Sequence, residues 1–418
     1  MGRKPLRIFY AAGPGDVIGT FGHWSAGRDD PSQVAVTYSG QFYDACRDLG
    51  AEGYVLAYNP NKRSVREGPF RIVHRPLRFM RGPGPLYHLE QIWAGARMAL
   101  SAKRFGADVA IVSGGAHWFS LGLMARLGVR VVPTLHCVLW SKHAPPERYR
   151  KWPWRWDARF FAARPAAVMS LSDDITEQLG VMAAGRYGRP VFPFLPTYRR
   201  EAFAGMPPPP AGKPFRVLFA GRIEPNKGVY DLLAIAKRFA AAGRTDVEFD
   251  LCGDGGHLAA LRTAADAAGV SPRFRCHGHV TKPVMRQRFE QCHVLIAPTT
   301  TDFIEGFNKT VAEGVLAGRP VVTSSVCPAL AYVREAVVEV PPDDVSAYGD
   351  AILRLCDDPR LYEQKRRGCG DVAELFYDPE RGWAAALKRV IAHLGLVPVE
   401  GPSVTEAELR ATEVRGVA

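Results

Sequence analysis

Four consecutive prolines at residues 207–210 divide the chain into two halves of nearly equal length. Proline fixes its own backbone φ angle and has no amide hydrogen to donate, so a run of four cannot lie inside a helix or a sheet. A chain of 418 residues is also too long for one ordinary hydrophobic core. We therefore predict two domains joined by a linker at residues 207–213.

Both halves alternate short apolar strands with segments of helical spacing. Strands are predicted over 6–12, 54–59, 109–112, 129–135 and 166–171 in the first half, and over 215–220, 247–252, 292–298 and 320–324 in the second. Strands that alternate with helices of this length indicate parallel winding, so the predicted class is α/β with a doubly wound, Rossmann-like sheet in each domain. Residues 62–81 carry many basic side chains among Gly and Pro and are predicted to be a loop.

The stretch at residues 301–320 is the most informative about function, because it holds two glutamates, Glu305 and Glu313, around a glycine turn. Helical spacing begins near Asn308, which places Glu305 in a loop and Glu313 about one and a half turns into a helix. Free N–H groups at that helix start could hold a phosphate, and Glu313 could accept hydrogen bonds from the diol of a ribose. Alternatively, both glutamates are solvated charges without a role.

A second candidate motif follows the first strand of the second half. There a glycine turn carries two cations, Arg222 and Lys227, directly before a helix predicted over 229–241. Two fixed positive charges beside a helix start suit a diphosphate, because they can neutralise the charge that grows on it as it leaves. The alternative is a pair of surface charges.

The first half has candidates of its own at the ends of its strands. Gly13, Gly15 and Asp16 follow the first strand, and His136 ends the strand at 129–135. Glycine loops can bring backbone close to a phosphate or a sugar. In doubly wound sheets the residues beyond the carboxyl ends of strands form the ligand crevice. The first loop is not G-x-G-x-x-G, so a dinucleotide site is not predicted. His136 could instead be an ordinary core histidine.

The sequence EGFNKTVAEGVLAGRPVV at residues 305–322 resembles the donor-site motif of glycosyltransferase family 4, whose members are retaining enzymes with the GT-B fold. GRIEPNKG at residues 221–228 is a second match. The resemblance covers residues 215–358 and, more weakly, most of the first half. It implies two Rossmann-like domains that face each other across a cleft, with a C-terminal helix crossing back to the first domain.

On that fold we expect an acceptor-binding domain over 1–206 and a nucleotide-sugar-binding domain over 214–375. The crossing helix is expected over 376–396, and residues 397–418 are expected to be disordered because they are polar and unpatterned.

The resemblance also implies roles. Arg222 and Lys227 would stabilise the departing diphosphate, Glu305 would orient the donor sugar, and His136 would contact that sugar from the first domain. The remaining donor-binding residues implied by the family are Gly221, Gly253, Asp254, Val280, Gly306, Phe307, Asn308 and Glu313. Gly13, Gly15 and Asp16 would line the acceptor side of the cleft. The family implies no metal and no cofactor, with a nucleotide-diphosphate sugar as co-substrate.

Charge is distributed unevenly along the chain. Residues 1–206 carry 28 Lys and Arg against 15 Asp and Glu, whereas residues 207–418 carry 26 against 27. A basic first half favours anionic partners, and residues 148–159 interleave Arg with three Trp, which suits docking at an anionic membrane surface. Packing of those Trp side chains onto the domain explains the pattern equally well. We therefore expect a glycan or a lipid-linked acceptor, as in surface polysaccharide assembly, and no nucleic acid.

Single cysteines without metal-ligand spacing, the absence of a secretory pattern and the lack of a long apolar window predict a cytoplasmic protein, peripheral at the membrane if docking occurs. Three rival functions stay open: a nucleotide-sugar 2-epimerase of the same fold, a non-catalytic nucleotide-sugar-binding protein, and a basic lipid- or nucleic-acid-binding module.

Overall fold

The computed structural model describes residues 4–77, 84–144 and 152–397. The first half folds around an eight-stranded sheet. Its strands are β1 (Arg7–Ala11), β2 (Glu52–Ala57), β3 (Ser64–Glu67), β4 (Phe70–His74), β5 (Val109–Val112), β6 (Arg130–Leu135), β7 (Val168–Ser170) and β8 (Val191–Pro193). The inner strands are apolar runs without alternation, because helices cover both faces of the sheet.

The strand order in this sheet is β3-β4-β2-β1-β5-β6-β7-β8, and only the β3–β4 pair is antiparallel. The chain winds outward from β1 through β2 to β4 and then returns to the other side of β1 as β5. The winding direction therefore reverses between β1 and β5. Loops after such a pair leave in opposite directions and open a crevice at the carboxyl ends of the strands.

The second half repeats this plan with six parallel strands. They are β9 (Phe215–Ala220), β10 (Val247–Cys252), β11 (Phe274–Gly278), β12 (Val294–Ala297), β13 (Val321–Ser324) and β14 (Val337–Val340). The order is β11-β10-β9-β12-β13-β14, so the winding reverses between β9 and β12. A second crevice is expected above that pair.

Helices flank both sheets. In the first half they are α1 (Val17–Ser25), α2 (Tyr38–Asp48), α3 (Pro85–Phe105), α4 (Gly122–Arg126), α5 (Trp152–Ala163) and α6 (Asp173–Met182). In the second half they are α7 (Val229–Ala241), α8 (Leu258–Ala267), α9 (Lys282–Gln291), α10 (Lys309–Leu316), α11 (Leu330–Val333), α12 (Val345–Asp357), α13 (Pro359–Tyr377) and α14 (Trp383–His393). Residues 207–213 contain no helix or strand.

The last helix, α14, lies on the first domain. Trp383 at its start is fully buried, and its indole Nε1 donates to Thr134 Oγ1 at 2.9 Å. The backbone N–H of Ala384 donates to Gln41 Oε1 of α2 at 3.1 Å. The buried Trp383 ring, whose N–H is hydrogen-bonded, therefore anchors α14 to the first sheet.

The predicted class, α/β with two Rossmann-like parallel sheets, is confirmed. Two local predictions differ from the structure. Residues 64–74 form the β3–β4 hairpin rather than a loop, because Phe70 and Ile72 turn into the core while Arg71 between them is exposed. The single helix predicted over 376–396 is divided, since α13 continues to Tyr377 and α14 begins only at Trp383. Residues 398–418, predicted to be disordered, lie outside the described residues.

Candidate active site

The two loops that leave the reversal point of the second sheet meet above it. The loop after β9 contains Gly228, whose φ of +72° is left-handed and whose added Cβ would lie 2.1 Å from the carbonyl oxygen of Pro298. The backbone N–H of Thr300 donates to the Asn226 carbonyl oxygen at 3.2 Å. Glycine is therefore required at 228, since only a residue without Cβ lets the two loops approach this closely.

These loops bring together two of the predicted residues, Lys227 and Glu305. The Lys227 Nζ donates to Glu305 Oε2 at 2.5 Å, and both side chains are largely buried. The same carboxylate oxygen accepts from Thr299 Oγ1 at 3.2 Å and from Asn308 Nδ2 at 3.4 Å. A buried carboxylate that accepts hydrogen bonds from a cation and two neutral donors is fixed in position.

Arg222 and Lys227 share an aromatic side chain that the sequence motifs did not identify. The Phe303 ring lies 3.8 Å from Lys227 Nζ and 5.5 Å from Arg222 Cζ, measured to the ring centroid. Arg222 is exposed and makes no ion pair with any residue in the described ranges. Its charge is thus available to a ligand, while the ring holds both cations on one side of the crevice.

The start of α10 also faces this region. Asn308 has a left-handed φ of +62°, and its side chain does not cap the helix. Because that side chain turns to Glu305 instead, it does not cap the backbone N–H groups of Lys309 and Thr310, whereas the Val311 N–H donates to the Asn308 carbonyl oxygen at 3.0 Å. A helix start of this kind attracts negative charge.

Glu313 lies in the middle of α10 and is partly buried. Burial raises the pKa of Glu313 to about 7, against the opposing effect of Lys309. The Tyr198 Oη, which donates to the Lys309 carbonyl oxygen at 3.2 Å, lies on the same side. Glu313 is four residues beyond Lys309, the first residue of α10, so it lies about one helical turn from the start of that helix.

Three predicted residues of the neighbouring loops support the site through backbone packing. Gly253 has φ +148°, and a Cβ there would lie 1.7 Å from the Gly221 carbonyl oxygen. The Asp254 carbonyl oxygen accepts from the backbone N–H of Ile223 at 3.0 Å, and the Asp254 carboxylate is exposed. These residues position the loop after β9. Val280, beyond β11, is partly buried against the core.

His136 comes from the first domain, at the end of β6, and reaches the cleft. Burial and the nearby Lys309 charge lower the pKa of His136 to about 3, so the imidazole is neutral. Its Nε2 lies 3.3 Å from Thr134 Oγ1, and its ring lies 4.5 Å from that of Tyr38. Neutral imidazole can donate or accept a hydrogen bond but adds no charge.

The two domains touch at the Glu305 loop. The backbone N–H of Val138 donates to the Glu305 carbonyl oxygen at 3.3 Å. A Cβ on Gly306 would lie 2.8 Å from the His136 carbonyl oxygen, so glycine is needed for this approach. Phe307 is buried and packs against Phe376 of α13, with ring centroids 5.9 Å apart. The predicted first-domain and second-domain residues therefore border one cleft.

On the first-domain side, Gly13, Gly15 and Asp16 line a cavity of about 330 Å³ above the β1–β5 reversal. His136 lines the same cavity. Sequence reasoning missed Asp30, which also lines it, although the segment at 21–41 is visibly rich in Asp, Ser and Gly. It likewise missed Lys309, whose Nζ lies 4.9 Å from the Tyr38 ring centroid.

The basic, Trp-containing stretch at 148–159 is described only in part, since residues 148–151 lie outside the described residues. In α5 the Trp154 ring packs against Trp140 with centroids 5.0 Å apart, whereas Trp156 is 53% exposed. On α3, Leu89 and Trp93 are about 60% exposed. Among the described helices, none combines the length and the apolar composition needed to cross a membrane.

Three potential metal ligands lie within 4.8 Å of one another only at Asp246, Cys356 and Asp357, within the part of the chain that the structure describes. This group is at the amino end of β10, opposite the cleft, and Arg244 and Lys213 form ion pairs with its carboxylates. Its geometry is that of a salt-bridge network.

Comparisons with known proteins agree with this architecture. Residues 214–358 match the family model described as glycosyl transferases group 1, and residues 35–192 match the one described as glycosyl transferase 4-like domain. The 2-deoxystreptamine N-acetyl-D-glucosaminyltransferase of Streptomyces fradiae is 27% identical over 347 residues, covering 77% of this chain and 80% of that protein. The alpha-D-kanosaminyltransferase of Streptomyces kanamyceticus is 25% identical over 270 residues, covering 60% of this chain and 67% of that protein.

Solved structures show the same fold. HepE of Anabaena in complex with UDP aligns with a TM-score of 0.64 at 14% identity, covering 94% of this chain and all of that one. Sucrose-phosphate synthase of Thermosynechococcus elongatus aligns with a TM-score of 0.67 at 16% identity, covering 94% of this chain and 99% of that one. With two matched domain models and this architecture, the chain belongs to the glycosyltransferases of the family 4 type, which have the GT-B fold.

Proposed function

We propose that this protein transfers a sugar from a nucleotide-diphosphate donor to an acceptor hydroxyl with retention of the anomeric configuration. The observation that carries the proposal is the Lys227–Glu305 ion pair at the β9–β12 reversal, with Arg222 beside the same Phe303 ring as Lys227. It places two cations and a fixed carboxylate where a parallel sheet holds its ligand.

In this proposal the diphosphate lies between Arg222, Lys227 and the N–H groups at the start of α10. As the bond between the anomeric carbon and the phosphate oxygen breaks, negative charge grows on the diphosphate. Fixed cations and N–H groups lower the energy of that state, and losing one such contact typically costs about 10² to 10³ in rate. Glu313, deeper along α10, would accept hydrogen bonds from the ribose.

Glu305 is assigned to the donor sugar. Its Oε2 is already engaged by Lys227, Thr299 and Asn308, which favours an orienting and charge-stabilising role over covalent attack. Retention then follows from front-face substitution. The acceptor oxygen bonds to the anomeric carbon on the side that the diphosphate leaves, and the acceptor proton passes to the leaving phosphate oxygen. His136, neutral and on the opposite wall, would hydrogen-bond the sugar.

Two classes of acceptor have support. Relatives act on 2-deoxystreptamine by name, which favours a small polar acceptor. The alternative is a lipid-linked glycan, favoured by the basic first half and by the exposed Leu89, Trp93 and Trp156.

If those side chains contact a membrane, the protein should sediment with vesicles that contain anionic lipid. The double variant Trp93→Ser/Trp156→Ser should lose that binding. Equal sedimentation of the variant and the parent would argue against it.

The test is a panel of nucleotide sugars incubated with the full chain and acceptors of both classes. Transfer should release nucleoside diphosphate and give a product with the donor's anomeric configuration by NMR. Because protein cations supply the positive charge, activity should persist in EDTA, and complete loss on chelation would contradict that part. An isomerised donor without acceptor would indicate the 2-epimerase, and tight nucleotide binding without turnover would indicate a binding protein.

A further inference from the structure

The cavity above the β1–β5 reversal is acidic although its domain is basic. Asp16 and Asp30 line it, and none of the described residues that line it is a lysine or an arginine. The surrounding half of the chain carries a large excess of Lys and Arg. We propose, resting on the proposed function, that this cavity binds an acceptor that is a polyhydroxylated amine, and that Asp30 and Asp16 contact its ammonium groups.

Asp30 is held in place by its own loop. Its Oδ2 accepts from Thr20 Oγ1 at 2.5 Å, and its Oδ1 accepts from the Ser32 N–H at 2.8 Å and from Ser32 Oγ at 2.6 Å. Partial burial raises the pKa of Asp30, but the hydrogen bonds from Ser32 and Thr20 lower it more, and the net shift is downward. The cavity therefore contains a positioned carboxylate that is charged at neutral pH.

Asp16 supplies the second carboxylate. Its Oδ1 accepts from the Gly19 N–H at 2.8 Å as the cap of α1 and lies 3.5 Å from His74 Nε2. The side chain is 60% exposed and lines the cavity. Two carboxylates in the described wall favour a cationic ligand, whereas a phosphate placed here would meet like charge. The neighbouring cations Lys282 and Lys309 bond to the Asp30 carbonyl oxygen and to Gln33 rather than to either carboxylate.

The rest of the wall suits hydroxyl groups. Thr37, Ser39 and Ser113 line the cavity. Tyr38 and His136 line it too, and the buried Tyr38 Oη and His136 Nδ1 have no hydrogen-bond partner among the described residues. Buried polar atoms normally have partners, and a hydroxyl-rich ligand would supply them.

The loop that carries Asp30 also bridges to the second domain. Lys282 Nζ donates to the Asp30 carbonyl oxygen at 2.9 Å, and Lys309 Nζ donates to Gln33 Oε1 at 3.1 Å. Lys309 directly follows Asn308 of the donor-side loop. Cations thus lie on the second-domain side of the cleft and carboxylates on the first, which matches a reaction between an anionic donor and a cationic acceptor.

The experiment is isothermal titration calorimetry of the full chain with a diaminocyclitol and with the matched cyclitol in which hydroxyls replace both amines. The diamine should bind roughly tenfold or more tightly than the neutral compound, the range of a hydrogen bond to a charged group. Asp30→Asn should reduce that preference, because Asp16 then remains as the only proposed carboxylate contact, and should leave the neutral compound unaffected. Asp29→Asn is the matched control, because Asp29 is exposed, pairs with Arg199 and does not line the cavity.

Equal affinity for both compounds, no binding of the diamine, or the same loss in Asp29→Asn as in Asp30→Asn would overturn the proposal. Asp16→Asn serves as a second variant, since asparagine also caps helices and the fold should persist. Nucleotide binding, titrated separately, distinguishes this inference from the proposed function. Diamine binding without transfer from any nucleotide sugar would defeat only the function, whereas transfer without preference for amines would defeat only the inference.

Discussion

The reversal points of the two sheets have the same topology and opposite charge. Above β9 and β12 the crevice presents Arg222 and Lys227, with Glu305 neutralised by Lys227. Above β1 and β5 the cavity presents Asp16 and Asp30, and the described part of its wall contains no lysine or arginine. Both positions follow from the way a parallel sheet is wound. The topology thus determines where a ligand binds, and the loop side chains determine its charge.

The loops differ in packing as well. In the second domain a Cβ added at Gly253 would overlap the backbone of Gly221. In the first domain a Cβ added at Gly15 would have no atom within 4 Å. The second-domain loops are therefore tightly held on one another, and the first-domain loop has free space above it. Tightly held loops suit a site that always binds a diphosphate. A loop with free space above it suits a site that must accept different acceptors in different enzymes.

The largest expected effect comes from removing the cation at the centre of the second-domain crevice. Lys227→Ala should lower turnover by about 10² to 10³, because one contact to the departing diphosphate is lost. Lys237→Ala, on the exposed face of α7, is the control and should retain full activity. Lys227→Ala also leaves Glu305 unpaired, so thermal unfolding is measured in parallel. A loss of turnover no greater than the loss of folded protein would contradict the assignment.

The contrast in packing predicts an unequal response to the same substitution. Gly253→Ala should cost about 3 kcal/mol of stability, since the φ angle is unfavourable and the new Cβ overlaps the Gly221 carbonyl oxygen. Gly15→Ala should change it by less than about 0.5 kcal/mol, as expected for an exposed site. Differential scanning calorimetry measures both. Similar melting temperatures for the two variants would remove the distinction between a tight and an open loop.

The smallest effect is a pH dependence of nucleotide binding. Burial raises the pKa of Glu313 to about 7, so lowering the pH from about 8 to about 6 protonates the free carboxylate. A protonated carboxyl accepts hydrogen bonds from a ribose diol less well, and affinity for nucleoside diphosphate should fall by about tenfold. Glu313→Gln should bind weakly and lose this dependence. Affinity that falls equally in both proteins would mean that another group titrates.

Much of the fold was predictable because it depends on local pattern. Apolar strands, glycine turns and the proline run are signals within a few residues, and helix α7 was predicted with its observed bounds. The β3–β4 hairpin was missed because its basic side chains obscure the alternation of Phe70 and Ile72. The end of α13 was missed because helical spacing continues on both sides of the interruption at residues 378–382.

The site was predictable only where motifs exist. Lys227 and Glu305, 78 residues apart, were named from two separate motifs, and the structure shows their contact. Phe303 and Asp30 have no such motif, because their roles depend on which loops meet across the sheet. The acidic cavity was also hidden by the charge total of the first half, since a sum over many surface residues does not report the sign of one interior surface.

The most direct test of the donor assignment is a crystal structure of the full chain with a nucleoside diphosphate, beginning with UDP. The diphosphate oxygens should lie within hydrogen-bond distance of Arg222, Lys227 and the first backbone N–H groups of α10, with Glu313 at the ribose. A diphosphate bound away from the β9–β12 crevice, or one that contacts the cavity beside Asp16 and Asp30 instead, would contradict the account.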